Sequence, residues 1–423
     1  MKFVELKEEE FQKFADSHEQ ESFFQTVQVA KLRKSYGSKI HYLGVKEGKK
    51  ILAAAMFSVT KTFMNKYTFY SPRGFLLDYH NKELINFFTK ELKVYCKKRN
   101  GLMIKLDPNV VYRKRANDGS IVEDNFTDIE SINNLKQAGY KHYGFNTDFI
   151  NTQSRWNVIL ELDKPYEEIK KNFSKSTRKN IEATYKKGVQ VRKGKIADLE
   201  SMEEILVKTA ERKNFNYRTL EYYTRMYNLL GDKMQIYIAY LDPEVYLNSS
   251  LELLHQEEEN NKQIVTKMEK DNVGNKLINQ KATSDKLLEK YKEEVKIAEE
   301  FKKENPNGKD IGVLISFKSG LEYLTLYSGI LVEYKKFTPK YAMYNEHILD
   351  AYRFGIPYVN FYGISGIFDP KDKNYGMFEF KKGFGGNVVE LIGEFSYPLS
   401  PLYYVYTFFR KIKIIIRDIK EKR

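Results

Sequence analysis

The sequence is poor in the residues that mark several common classes of protein. Its single cysteine, Cys96, excludes an internal disulfide and fits a reducing compartment. Cys96 lies in an apolar helical pattern and reads as a core residue. With one cysteine and six scattered histidines, no metal-ligand spacing forms. No apolar run reaches about 18 residues, so no helix is expected to span a bilayer. The opening MKFVELKEEEF lacks the apolar centre of a secretory leader. The GxxxxGK[ST] phosphate loop and the GxSxG nucleophile elbow are both missing.

What is present is length, aromatic surface and positive charge. A chain of 423 residues is long enough for two or three domains, and 42% hydrophobic content can fill their cores. The net charge of +14 favours a polyanionic partner: nucleic acid, phosphorylated metabolites or an anionic membrane face. A Lys-, Tyr- and Asn-rich composition also follows from an AT-rich genome, so local clusters carry more information than the total.

Runs rich in Ile, Val, Tyr and Phe predict strands at 51–59, 67–70, 102–106, 156–162, 234–241, 311–317, 322–327 and 358–362. Helical patterns lie between them. Thr127 and Glu130 form a capping box before Ile132 and Leu135, with Gly139 at the stop. Thr338 is expected to cap a helix with Pro339 in its first turn and Gly355 at its stop. Mixed α/β domains follow. A weak internal echo links YSPRG (70–74), a helix and the strand ending LDP (106–108) to YSG (327–329), a helix and the strand ending FYG (361–363). It reads as two copies of one α/β unit.

Residues 242–310 break the pattern, being almost all Glu, Lys, Asn, Gln and Leu. Leu288, Tyr291, Val295 and Ala298 form a narrow seam, and Leu247, Leu251 and Leu254 another, with a turn expected at Asp271–Asn275. An antiparallel two-helix coiled-coil arm accounts for this better than a charged linker does. Two basic clusters stand apart. Residues 164–195 include Lys175, Arg178 and Lys179, and read either as a solvated helix face or as contacts for tRNA phosphates. The C-terminal FFRKIKIIIRDIKEKR alternates as an amphipathic helix does, and suits either solvent or an anionic leaflet.

The stretch YGMFEFKKGFGG (375–386) sets lysines among phenylalanines and then adds glycines. As a chain turn it supports three readings: an acetyl-CoA phosphate loop, a nucleic-acid contact or a buried catalytic cation. The first is weakest. Phe380 stands where such loops carry Gln or Arg, and NVVELIGEF downstream reads as a strand rather than a helix.

Seven segments in order, FFQTVQVAKL, YSPRGFLLDY, KLDPNV, SKSTRKNIEATYKKGVQV, ERKNFNYRTLEYY, FTPKYAMYNEHILDAYRFGIPYVNFYGISGIFD and YGMFEFKKGFGGNVVELIGEFSYPL, give the chain its family resemblance. Together they resemble the FemABX family of peptidoglycan aminoacyltransferases over nearly the whole length. The 242–310 arm resembles that of the FemA-, FemB- and MurM-like branch. The resemblance implies two tandem GNAT-like domains: 1–150, completed by 391–423, and 151–241 with 311–390, the arm being inserted in the second. It implies transfer of Gly, Ala or Ser from aminoacyl-tRNA to the stem-peptide amine of a lipid-linked or nucleotide-linked peptidoglycan precursor. No metal or organic cofactor is implied, because the aminoacyl ester is already activated. The expected location is the cytoplasm, peripheral to the inner membrane leaflet.

The resemblance also implies site residues. Lys381, after Phe380, matches the family's functional lysine. Asp107 matches an acidic cleft residue that can act as base, although a strand-end Asp before Pro108 is equally a turn residue. Lys31 and Arg218 match a pair that holds the precursor's phosphates, with Val29 standing where the family pattern has tryptophan. Tyr222 and Tyr327 match cleft tyrosines, and Thr325 stands where another tyrosine can occur. Lys382 is expected to face tRNA or solvent. Two other classes remain open: an aminoacyl-tRNA-dependent phospholipid aminoacyltransferase, and a non-enzymatic RNA-binding coiled-coil protein.

Overall fold

The computed structural model describes residues 1–122, 126–213, 216–270 and 274–421, with only the backbone described at Lys270, Lys411 and 413–421. Two mixed sheets organise them. The first has seven strands in the order Lys2–Glu5, Lys39–Glu47, Lys50–Phe63, Lys66–Arg73, Gly101–Pro108, Phe395–Pro398, Lys141–His142. The second has eight, in the order Val111–Arg115, Asn387–Leu391, Trp156–Glu161, Tyr358–Ile364, Glu322–Ile330, Lys309–Lys318, Met234–Leu241, Val189–Lys193. The chain therefore crosses between sheets more than once. Asn387–Leu391 is an inner strand of the second, and after a three-residue link Phe395–Pro398 is an inner strand of the first.

The internal echo is structural. Each sheet contains a parallel pair joined by a helix. Lys66–Arg73 and Gly101–Pro108 flank the helix Lys82–Lys97, and Glu322–Ile330 and Tyr358–Ile364 flank the helix Pro339–Arg353. Helices on a parallel crossover bury one face. Accordingly Leu84, Ile85, Phe88, Leu92 and Cys96 are buried at helical spacing, and the Asn81 side chain caps the first turn by accepting from the Leu84 amide at 3.0 Å. The two units differ in one respect. The first ladder continues from Tyr67 to Arg73, whereas the second stops at the Leu324–Asn360 pair although both strands continue. The second unit thus splays open beyond Leu324.

Three details depart from expectation. The helix Ile129–Gln137 is capped by Asp128, whose carboxylate accepts from the Ser131 amide at 3.0 Å, and not by Thr127. Asp ranks above Thr as a cap because its charge also meets the helix dipole. Thr338 precedes its helix in a left-handed conformation with φ of 52°, and its hydroxyl meets that of Thr184 at 2.7 Å rather than capping. The stretch 375–386 is not a turn throughout, since Tyr375–Lys382 is a helix.

The arm consists of two antiparallel helices, Pro243–Lys270 and Asn275–Glu304. Asp271, Asn272 and Val273 of the expected turn lie outside the described residues. Val295 and Ala298 are buried as expected, but Leu251 is 43% exposed. The first helix is rotated so that Tyr246, Ser250 and Ile264 face inward. Asn261 then reaches Ser284 and Asp285, at 2.9 Å each, and polar pairs occupy the middle of the seam.

The lobes built on the two sheets share a core. Phe11, Phe23, Phe24 and Val29 from the N-terminal segment pack with Leu206, Tyr223, Phe317 and Leu324 from the other side. Phe23 stacks on Phe317 with ring centroids 4.3 Å apart. Beside it the buried Glu21 carboxylate accepts from the Gly320 and Leu321 amides at 2.7 and 2.6 Å. Phe23→Ala is expected to lower unfolding free energy by about 3–5 kcal/mol, read from urea denaturation.

Candidate active site

Lys381 ends the helix Tyr375–Lys382 and is only 6% exposed. Its ammonium donates to the Gly363 and Tyr362 carbonyls at 2.7 and 3.3 Å. Those carbonyls belong to the part of Tyr358–Ile364 that has left its parallel neighbour. Lys381 pairs with no carboxylate among the described residues. Burial, and then the nearby Lys340 charge, pull its pKa down to about 7. Burial, with Arg212 and Lys213 near, lowers Lys340 to about 8.

An aromatic wall adjoins this lysine. Phe380 meets Tyr341, Tyr344 and Phe384 at centroid distances of 5.1, 4.8 and 5.3 Å, and Phe384 is fully buried. The glycines that follow make this packing possible. A Cβ on Gly383 would lie 2.3 Å from the Thr177 hydroxyl, and Gly385 has φ of +81°. The snorkelling lysine of the stretch is Lys382, which pairs with Glu379 at 3.1 Å and lies over Phe378.

Asp107 sits at the end of Gly101–Pro108 and is buried. Its two oxygens accept from the Tyr70 hydroxyl at 2.6 Å and the Arg73 amide at 2.7 Å. Burial raises its pKa to about 6, against the opposing pull of Arg73 and the Tyr70 bond. The Arg73 guanidinium is buried, donates to the Ser154 carbonyl at 2.7 Å and lies 6.0 Å from the Tyr362 ring. Arg33 and Lys105 both lie over the Tyr70 ring, at 5.6 and 5.7 Å. Glu322, also buried, accepts from Asn360 at 2.6 Å, and burial raises its pKa. Tyr362 thus contacts both groups, its ring lying near Arg73 and its carbonyl accepting from Lys381.

The other expected residues fall into two groups. Arg218, Tyr222 and Tyr327 come together: the Arg218 guanidinium is 5.1 Å from the Tyr222 ring, and the two tyrosine hydroxyls are 3.3 Å apart. Tyr36 joins them, 5.5 Å from Tyr222. Lys31 stands on the helix Val27–Ser35, which packs against the helix Leu220–Leu230, but its ammonium pairs with Glu8 at 3.6 Å. Thr325 is buried and meets Nε2 of the buried His347 at 2.9 Å. Lys175 and Lys179 are exposed on the helix Lys175–Lys186. Arg178 is engaged locally, donating to the Lys171 carbonyl at 2.6 Å and to that of Phe173.

Sequence reasoning missed Arg73, Arg33, Tyr70, Lys105, Lys340, Glu322 and Tyr362 as members of this region. Tyr70, Arg73, Lys105, Lys340 and Tyr362 lie inside the segments that carry the resemblance, but nothing local marked them; the structure shows Arg73 at φ of +55°, which a bulky residue takes only under tertiary constraint. A hollow of about 520 Å³ elsewhere, lined by Arg192, Ser201 and Asp310, contains none of these residues. Its charged groups already bond to one another.

The lowered Lys381 pKa has a thermodynamic sign. Because it falls to about 7 from 10.5, the unfolded chain binds a proton between those values that the folded chain does not. Burial of this lysine costs nothing above pH 10.5, and its cost grows as pH falls through that window to about 7. The Tm of Lys381→Met minus that of the parent is expected to be largest near pH 7 and to shrink toward pH 10.5. Scanning calorimetry across that range checks it.

The model of the FemAB family matches residues 6–411. Aminoacyltransferase FemA of Staphylococcus aureus strain bovine RF122 is 30% identical over 98% of this chain and 99% of its own length. Aminoacyltransferase FemA of Staphylococcus epidermidis strain RP62A is 29% identical over 98% of this chain and all of its own. The crystal structure of FemX superposes with a TM-score of 0.76 at 24% identity, covering 96% of this chain and 99% of that one. A tandem GNAT protein from the clavulanic acid pathway gives 0.50 at 9% identity over 95% and 99%, which supports the tandem GNAT-like fold. With the match running from end to end, the chain belongs to the FemAB family and is an aminoacyltransferase.

Proposed function

We propose that this enzyme transfers Gly, Ala or Ser from aminoacyl-tRNA to the stem-peptide amine of a lipid-linked peptidoglycan precursor, building an interpeptide bridge. The observation that carries the reading is a buried ammonium, Lys381, that no carboxylate neutralises among the described residues. A buried charge without a counter-ion is costly unless the reaction supplies one.

The reaction does so. The acceptor nitrogen attacks the ester carbon, the C–N bond forms, and negative charge gathers on the former carbonyl oxygen. Lys381 stabilises that oxygen in a site dried by Phe380 and Phe384, where electrostatics are strong. The tetrahedral carbon then expels the ribose oxygen, which takes a proton. The attacking amine loses one. Asp107, raised to about 6, is suited to receive it more readily than an exposed carboxylate would be. A ribose hydroxyl of the tRNA is the alternative carrier.

Arg218, with Tyr222 and Tyr327, supplies an aromatic-backed fork for the precursor's phosphates, and Lys31 would join it on leaving Glu8. We assign Lys175, Lys179 and Lys382 to tRNA phosphates, with Arg178, on the same helix as the first two, bonded to the Lys171 and Phe173 carbonyls that precede it. We treat 1–150 with 391–423 as one domain, and 151–241 with 311–390 as the other, with 242–310 the inserted arm. A lipid-linked acceptor sets the enzyme at the inner face of the membrane.

Incubating the purified protein with lipid precursor and a panel of charged tRNAs, with mass spectrometry of products, tests this. Phosphatidylglycerol as acceptor, side by side, tests the phospholipid reading. Lys381→Met is expected to lose about 10²–10³-fold in rate, or ~3–4 kcal/mol, while still binding tRNA. Retained turnover in that variant refutes the role. Because the charged form is the active one, kcat/KM of the parent is expected to fall as pH rises through about 7.

A further inference from the structure

The helix Leu402–Glu421 carries an apolar stripe that no other described part of the chain covers. Its inner side is occupied: Leu402, Tyr403 and Tyr406 pack with Leu102, Met103 and Phe63. Its outer side presents Tyr404, Val405, Phe408, Phe409 and Ile412, with Phe408 61% and Phe409 52% exposed. These positions recur every three to four residues and share one face. The sequence continues the spacing with Ile415, Ile416 and Ile419.

The neighbouring hairpin extends the surface. Between Lys50–Phe63 and Lys66–Arg73 the turn exposes Met64 to 68%, and Phe63 meets Tyr406 with centroids 6.0 Å apart. Cations rim the patch. Lys61 is exposed, Lys66 is half-exposed, and the Lys141 ammonium lies 4.3 Å from the Tyr404 ring centre. The sequence has no acid from Leu402 to Arg417 or from Val59 to Tyr70, and the whole helix has Arg410, Lys411, Lys413, Arg417 and Lys420 against Asp418 and Glu421. The cations Lys61, Lys66 and Lys141 beside the stripe disfavour a second copy packed on it, whereas an anionic surface with an apolar layer beneath it satisfies both the charge and the stripe.

No helix among the described residues is long and apolar enough to cross a membrane. We infer that the helix Leu402–Glu421 and the Met64 turn form a docking face that lies in the plane of an anionic lipid surface, with Phe408 and Phe409 at the headgroup–acyl boundary. The inference deepens the lipid-linked reading above, by naming the surface that brings the enzyme to its acceptor.

Sedimentation of the full-length protein with vesicles of phosphatidylcholine, with and without phosphatidylglycerol, tests it. The protein is expected to sediment with the anionic vesicles and to be released by salt. The double variant Phe408→Ser/Phe409→Ser is expected to bind about tenfold more weakly or less. Its circular dichroism and its transfer to a soluble nucleotide-linked acceptor are expected to stay at the parent's level. Equal binding by variant and parent, or no binding at low salt, overturns the inference. So does a lipid-free dimer that the double variant turns into monomers, since the face is then a self-interface. Vesicle binding without transfer to lipid precursor upholds the docking face and overturns the acceptor reading instead.

Discussion

The centre of this structure is an ammonium held by two carbonyls at the place where a parallel ladder ends. A sheet that keeps its pairing has no carbonyls to offer a lysine. The second α/β unit gives up its parallel pairing after Leu324 and Asn360, its other ladder is irregular between Asn360 and Gly363, and the oxygens of Tyr362 and Gly363 bond to Lys381. Carbonyl dipoles hold the proton in place without cancelling its charge, as a carboxylate would. The first unit keeps its ladder to Arg73 and Pro108, and its strand end carries a carboxyl group instead. Two copies of one motif thus end differently, one in a buried carboxyl group and the other in carbonyls that hold a buried ammonium.

The surroundings follow from that difference. Burial moves Lys381 down and Asp107 up, so that both titrate near neutrality for the same physical reason. The aromatic residues at 380, 384, 341 and 344 pack on one another beside the lysine's helix, and the glycines at 383 and 385 let the helix end close against Thr177 and Asn172. Ser174, which caps the next helix, donates its amide to the Gly383 carbonyl at 2.8 Å, locking the two helix ends together.

Much of this was legible in the sequence, and the reasons are local. Strands such as Met234–Leu241 and the helix of the arm bearing Val295 and Ala298 announce themselves by periodicity, and the echo of YSPRG in YSG marks the repeated unit. Glycine and phenylalanine after Lys381 marked the wall. What sequence could not give was set by distant partners. Arg73 matters because Ser154 and Tyr362 come to it from elsewhere in the chain. Arg178 looked like a free cation until the carbonyls of Lys171 and Phe173 came within its reach. The rotation of Pro243–Lys270, which exposes Leu251, is set by Asn261 finding Ser284 and Asp285 across the seam, a polar preference that an apolar count does not see. The stretch 375–386 read as a turn because Gly383, Gly385 and Gly386 dominate its end, whereas burial of Phe378 and Lys381 goes with a helix over Tyr375–Lys382.

The segment Asn387–Pro398 stitches the molecule. One part of it fills a slot inside the eight-stranded sheet, and the next fills a slot inside the seven-stranded sheet, three residues later. Such a stitch opposes swinging the halves apart like the covers of a book, because hydrogen-bonded rows on both sides would have to tear. It also means that neither half is a self-sufficient unit. Cutting the gene between them would leave a raw inner edge on one product, with amides and carbonyls bare to any passing strand.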